Sequence, residues 1–258
     1  MASDTINERG LIFLHIPKTA GTTLRTVIDR HYPRHATYCF YEYPKDRHEF
    51  FALSEERRRE LRVLQGHIRF GFHRFLSIPV DYITLLRDPV DLVMSLYYWI
   101  PRTRDAWLYP WVEGKSLSDF AANGSTWINN IQTRLISGQI NDPTDEDLKS
   151  AINNLNVHFT AFGLHGRFDE SLMLFKRRLG WKSTFYARQN VTKGRPSKHE
   201  APFSTISLIE KNNALDMELY EFARNKFDEV VGKEDSTFWD DLRAFQGLNK
   251  VYEGLESR

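Results

Sequence analysis

The sequence predicts a doubly wound α/β domain, a parallel sheet flanked by helices with further helices inserted. Three observations carry this. Two short apolar runs, Leu11–Ile16 and Asp81–Leu86, are each followed at once by a turn and a helical pattern. Beyond Trp111 the periodicity is mostly helical. A length of 258 residues with 41% hydrophobic and 27% charged side chains suits a chain with a sizeable core and argues against wholesale disorder. No internal repeat, low-complexity tract or linker divides residues 1–258, so they are read as one domain.

Leu11–Ile16 is apolar, β-branched and aromatic, which suits a buried parallel strand, and Pro17 ends it. Lys18–Thr23 turns into a helix that runs to about Arg30, and His31–Phe51 carries no clear pattern. Ser54 is placed to cap a helix through Leu61, with acids in its first turn. Val63-Leu64 leads as a second strand into Gly66-His67, and Asp81–Leu86 is a third. Arg87-Asp88-Pro89 closes that strand and opens a helix, Asp88 as cap and Pro89 at the first helical position. Further helices are expected at Ser116–Ala122, Thr126–Ile136, Thr144–Asn154 and Asp169–Leu179, the last stopped by Gly180, with a strand at Thr160–Leu164. Gln189–Pro202 reads as a loop. Ser204–Asn225, broken near Asn212-Asn213, and Thr237–Phe245 read as the last helices.

Net charge is +1, from 35 basic against 34 acidic side chains, so no bulk footprint for nucleic acid exists. Cys39 is the single cysteine, so no intrachain disulfide forms, and a cytoplasmic address is the default expectation. Met1–Gly10 is polar, without an apolar signal-peptide core, and the longest early apolar stretch is far short of the roughly 20 residues that span a bilayer. A soluble chain is therefore expected. Its oligomeric state is not legible.

A strand, then Pro17-Lys-Thr-Ala-Gly-Thr-Thr23, then a helix is a geometry that binds anions. Free N–H groups and the macrodipole at a helix N-terminus favour negative charge. Gly21 permits close backbone approach, Thr22 and Thr23 offer hydroxyls, and Lys18 places a positive charge at the mouth. The Walker A pattern is absent, since the lysine precedes the glycine. A tight strand–helix connection fits the same residues. Arg87 stands at the carboxyl end of its strand, where open α/β sheets bind ligands, and Ser95 lies about two helical turns further on the same flank. A guanidinium suits phosphate better than an ammonium does. Arg87-Asp88 also fits a capping and ion-pairing device.

Together these segments resemble the sulfotransferases that use 3′-phosphoadenosine-5′-phosphosulfate (PAPS). His15–Thr23 is similar to their 5′-phosphosulfate loop, in particular that of the heparan sulfate 2-O-sulfotransferases and their bacterial relatives. Thr84–Ser95 is similar to their 3′-phosphate motif, and Lys193-Gly194-Arg195 to the element that closes over the 3′-phosphate. The resemblance covers about Leu11 to Pro196. It implies a P-loop-like sulfotransferase fold and donor contacts from Lys18, Thr19, Ala20, Gly21, Thr22, Thr23, Arg87, Ser95, Lys193, Gly194 and Arg195. PAPS would be co-substrate and adenosine 3′,5′-bisphosphate (PAP) the product, with no metal.

Sulfuryl transfer to a hydroxyl needs a proton acceptor, and His67 in Leu64-Gln-Gly-His-Ile-Arg69 resembles the family's His-Gly-His element. Gln65 stands where the first histidine would be. His67 and Lys18 are thus the expected catalytic pair. His15 is read as a hydrogen-bonded strand residue, His73 as an acceptor-site candidate and Glu42 as a substitute base. Tyr97, Tyr98, Trp99, Arg102, Arg104, Trp107, Tyr109 and Trp111 suit either an acidic glycan or ordinary packing. The acceptor is expected to be hydroxylated: a glycan, a lipid or a small metabolite. A nucleotide kinase or NTPase would share the cradle but needs a Walker lysine and a magnesium carboxylate. A catalytically inactive PAPS- or PAP-binding module would show the same motifs.

Overall fold

The apolar runs pair into one five-stranded sheet, parallel throughout, in the order β2-β3-β1-β4-β5. The strands are β1 (Gly10–Leu14), β2 (Thr37–Phe40), β3 (Val63–Gly66), β4 (Val80–Leu86) and β5 (Phe159–Leu164). The computed structural model describes residues 9–42, 44–103, 108–123, 125, 127–187, 189 and 196–256. Every side chain of β1 and β3 is buried, as a parallel strand covered on both faces requires. From β1 the chain moves outward to β2, returns to β3, then crosses β1 to reach β4. The flanks therefore diverge at β1, where such sheets open a crevice beyond their carboxyl ends. Leu14 pairs with both Gly66 and Thr84, so β1 and β3 end level and β4 runs two residues further. His15, His67 and Arg87, each just past its strand, consequently emerge along one edge.

Helices α1 (Gly21–Ile28), α2 (Lys45–Ala52), α3 (Glu55–Glu60) and α4 (Pro89–Thr103) alternate with the first strands. The insertions are α5 (Leu117–Ala122), α6 (Ile131–Ser137) and α7 (Asp145–Val157), and α8 (Phe168–Leu179), α9 (Phe203–Asn212), α10 (Ala214–Gly232) and α11 (Ser236–Glu256) follow β5. The expected caps are in place. Ser54 accepts from Arg57 N–H and Asp88 accepts from Asp91 N–H; Ser116, read as the first residue of a helix, instead caps it in a capping box with Asp119. Gly180 ends α8 at φ 67°, a left-handed value that favours glycine.

Two elements lie in the stretch that carried no pattern, β2 and α2. β2 is an edge strand with three of its four residues half-buried, and α2 buries only Phe50, so neither produces an apolar run. The helix expected from Thr126 begins at Ile131, because Asn130 takes φ 50° and its N–H is held by Asn213. The last helix continues past Phe245 to Glu256. Strand side chains and helix faces share one apolar core around Phe13, Tyr82, Phe175 and Phe227. Each large side chain buried there is worth roughly 1.5–3 kcal/mol. Among the described residues, no helix is long and apolar enough to cross a membrane.

Candidate active site

Beyond β1 the backbone takes two left-handed turns at non-glycine residues, Lys18 (φ 64°) and Ala20 (φ 69°). Such conformations cost of order 1 kcal/mol each and are held by their surroundings. Thr19, between them, is fully buried and donates its hydroxyl to the Ile16 carbonyl at 2.8 Å. Ala20 offers no side-chain cap to α1. The N–H groups of Gly21, Thr22 and Thr23 lack a preceding helical turn, and all three residues line a cleft of about 660 Å³. A Cβ on Gly21 would sit 2.0 Å from the His15 ring, so only glycine fits against that imidazole. The Lys18 ammonium lies 4.7 Å from the centroid of the Trp99 ring, within cation–π range.

Arg87 stands on the adjacent wall, buried except at the cleft. Its guanidinium donates to the Lys18 carbonyl at 2.7 Å, which ties the end of β4 to the first loop. Behind it the Gln132 amide grips the Arg87 peptide at both ends, accepting from its N–H and donating to its C=O, each at 2.9 Å. Ser95, on α4, is buried on the same wall. Asp88 pairs with Lys198 at 2.8 Å.

His67 comes third. Its backbone N–H donates to Phe40 O at 2.7 Å, and its Nδ1 lies 3.0 Å from the carbonyl of His15. A carbonyl only accepts, so Nδ1 carries the proton and Nε2 keeps a lone pair. The imidazole is open to the cleft with protein around its other sides. Desolvation lowers its pKa, opposed by the bond to His15, and the solvent in the cleft moderates that shift. His15 is buried, and its pKa is held well below the usual imidazole value by desolvation first, then by His67, Arg25 and Lys18. Its Nδ1 finds no hydrogen-bond partner among the described residues, unlike the satisfied strand residue the sequence suggested. The two imidazoles lie 4.8 Å apart, and Tyr41 meets both edge-on.

The remaining wall comes from the carboxyl end of β5 and the start of α8. Asp169 accepts from the Tyr186 hydroxyl at 2.6 Å and from Gln246 at 3.2 Å, and Glu170 pairs with Arg167. Gln189 donates its N–H to the Thr23 hydroxyl at 3.1 Å. Sequence reasoning passed over this wall. Its one legible signal was His165-Gly-Arg167 following a strand, the position that singled out Arg87.

Of the candidates, Lys18, Ala20, Gly21, Thr22, Thr23, His67, Arg87 and Ser95 all line the one cleft. Thr19 lies beneath it. Lys193, Gly194 and Arg195 fall outside the described residues, as do Arg104 and Trp107. Gln65 is fully buried and donates to Asp29 at 2.7 Å, away from the cleft. His73 bonds the Tyr82 hydroxyl near the amino end of β4 and does not line the cleft. Glu42 is exposed and pairs with Lys45. From the aromatic stretch Trp99 reaches the cleft, whereas Tyr97 packs on Phe120 and bonds the Lys115 carbonyl.

A family model described as Galactose-3-O-sulfotransferase matches residues 2–239. Galactose-3-O-sulfotransferase 3 of Bos taurus is 26% identical over 234 residues, covering 81% of this chain and 54% of that protein. Galactosylceramide sulfotransferase of Homo sapiens is 26% identical over 215 residues, covering 73% of this chain and 50% of that protein. The chain spans about half the length of the curated relatives it matches. The resemblance to sulfotransferases holds, but its branch is corrected: these relatives are named for galactose and galactosylceramide, not for heparan sulfate.

Proposed function

The chain belongs to the galactose-3-O-sulfotransferase family, and from that membership we propose that it transfers a sulfuryl group from PAPS to a hydroxyl of a galactose-bearing acceptor. One observation carries the reading. Lys18, His67 and Arg87, far apart in sequence, meet in a single cleft beside the open first turn of α1. That cleft suits a doubly phosphorylated nucleotide, since it has cations on two walls and the N-terminal turn of α1 between them.

PAPS would supply sulfur activated as a mixed anhydride with phosphate. The first turn of α1 and Lys18 would hold the phosphosulfate end, and Arg87 with Ser95 the 3′-phosphate. His67 Nε2 takes the proton of the acceptor hydroxyl as its oxygen bonds to sulfur. The Lys18 ammonium offsets the charge left on phosphate as the old S–O bond breaks, giving the sulfate ester and PAP. Positioning and preorganised electrostatics carry most of the rate. The test is incubation with sulfur-labelled PAPS and a panel of galactose-terminated, other glycan and non-sugar acceptors. Label on galactose-terminated acceptors alone is the expected result. Label only on non-galactose acceptors would reject the acceptor class, and no transfer to any would reject the activity.

A further inference from the structure

We propose that Gln132 is a positioning residue for the donor nucleotide, fixing Arg87 in the orientation that reads a 3′-phosphate, and that Asp216 holds Gln132 in place. The inference rests on the reading of Arg87 as the 3′-phosphate anchor. β4 ends its ladder at the pair Leu86–Leu164, so the Arg87 peptide lies one residue past the last strand partner. Gln132 takes over that role, its amide closing both peptide groups at 2.9 Å while fully buried. The Arg87 guanidinium then reaches the Lys18 carbonyl.

Gln132 is itself fixed from a third element. Asp216, at the start of α10 and buried, accepts from the N–H of Gln132 at 3.0 Å and of Thr133 at 2.7 Å, and from the Thr133 hydroxyl at 2.8 Å. The carboxylate thus satisfies the open first turn of α6, where the macrodipole favours negative charge. Asn130 answers in return, accepting from Asp216 N–H at 3.1 Å. The α6 and α10 starts cap one another, and the long arm of Gln132 carries that rigidity to the cleft.

The test compares PAP with AMP, which lacks the 3′-phosphate, by calorimetric titration of wild type, Arg87→Ala, Gln132→Met and Gln132→Glu. Wild type is expected to prefer PAP. Gln132→Met keeps the volume and removes both bonds, and should cost about tenfold in PAP affinity with AMP affinity nearly unchanged. Gln132→Glu keeps the acceptor for Arg87 N–H and loses the donor to Arg87 C=O. Its deficit in PAP preference should shrink, relative to wild type at each pH, as the carboxyl protonates and donates again. A merely structural role would not produce that recovery. A folded Gln132→Met with the wild-type PAP-to-AMP ratio overturns the inference. If that variant does not fold, a Gln132→Glu ratio equal to wild type even at alkaline pH, where the buried carboxyl ionises, overturns it instead. Should Arg87→Ala also leave the ratio unchanged, the 3′-phosphate reading fails and takes the inference with it. A ratio collapsed by Arg87→Ala but not by the Gln132 variants overturns the inference alone.

Discussion

The Nδ1–H of His67 donates to the backbone carbonyl of His15 at 3.0 Å, so the end of one strand sets the tautomer of the side chain beyond its neighbour. His15 is therefore joined to the candidate base twice, through its carbonyl and through a ring 4.8 Å away. The same ring packs against the Cα of Gly21 in the loop proposed to hold the phosphosulfate. One buried side chain thus touches both the candidate base and the loop proposed to hold the phosphosulfate.

Gly21→Ala is expected to disturb both. Its Cβ would meet the His15 ring at 2.0 Å, and that ring is clamped by stacking on Phe13. Overpacking of this kind costs about 1–3 kcal/mol. Thermal unfolding should show the loss, and PAP should bind more weakly. Adding His15→Ala to Gly21→Ala should recover part of the stability, because it removes the clashing ring. No recovery would mean the clash is not with His15.

Acid stability should depend on His15. Its native pKa lies well below the unfolded value near 6.5, so below that value the unfolded chain binds a proton that the native state refuses. Stability is full above about pH 6.5 and falls as pH drops toward the native pKa. His15→Phe should flatten this acid limb in melting temperature recorded from about pH 7.5 to 4.5. An unchanged limb would place the responsible group elsewhere.

Donor binding should be indifferent to divalent metal. On the proposed reading, charge on the nucleotide would meet Lys18, Arg87 and the first turn of α1, while the nearby carboxylates Asp169 and Glu170 are already engaged by Tyr186, Gln246 and Arg167. PAP should raise the melting temperature equally in EDTA and in magnesium, and ATP, lacking the 3′-phosphate, should raise it less. Strict magnesium dependence would favour a kinase-like site.

The central strands were legible because a strand covered on both faces leaves an apolar run, as Leu11–Leu14 and Tyr82–Leu86 do. Caps such as Ser54 and Asp88 were legible because they act within one turn. The cradle and Arg87 were legible for the same reason: each follows its strand directly. Gln132 and Asp216 were not, since their roles exist only through partners 45 and 84 residues away. His15 was misread as a satisfied strand residue because its place at the end of an apolar run says nothing of the second imidazole that the sheet order brings beside it. Gln65 drew attention through its spacing, yet it turns toward Asp29, so the paired histidine here is His15.

The pH dependence of kcat/KM for sulfate transfer, in wild type and His67→Ala, tests the assignment of the base. Protonated imidazole accepts no proton, so activity in wild type should fall on the acid side with a midpoint below the ordinary imidazole value of 6.5, the direction in which burial moves His67. In His67→Ala the rate should drop by about 10²–10⁴, PAP affinity should stay near wild type, and the acid limb should vanish from residual activity. A variant that transfers sulfate at close to the wild-type rate, with the same acid limb, would contradict the assignment.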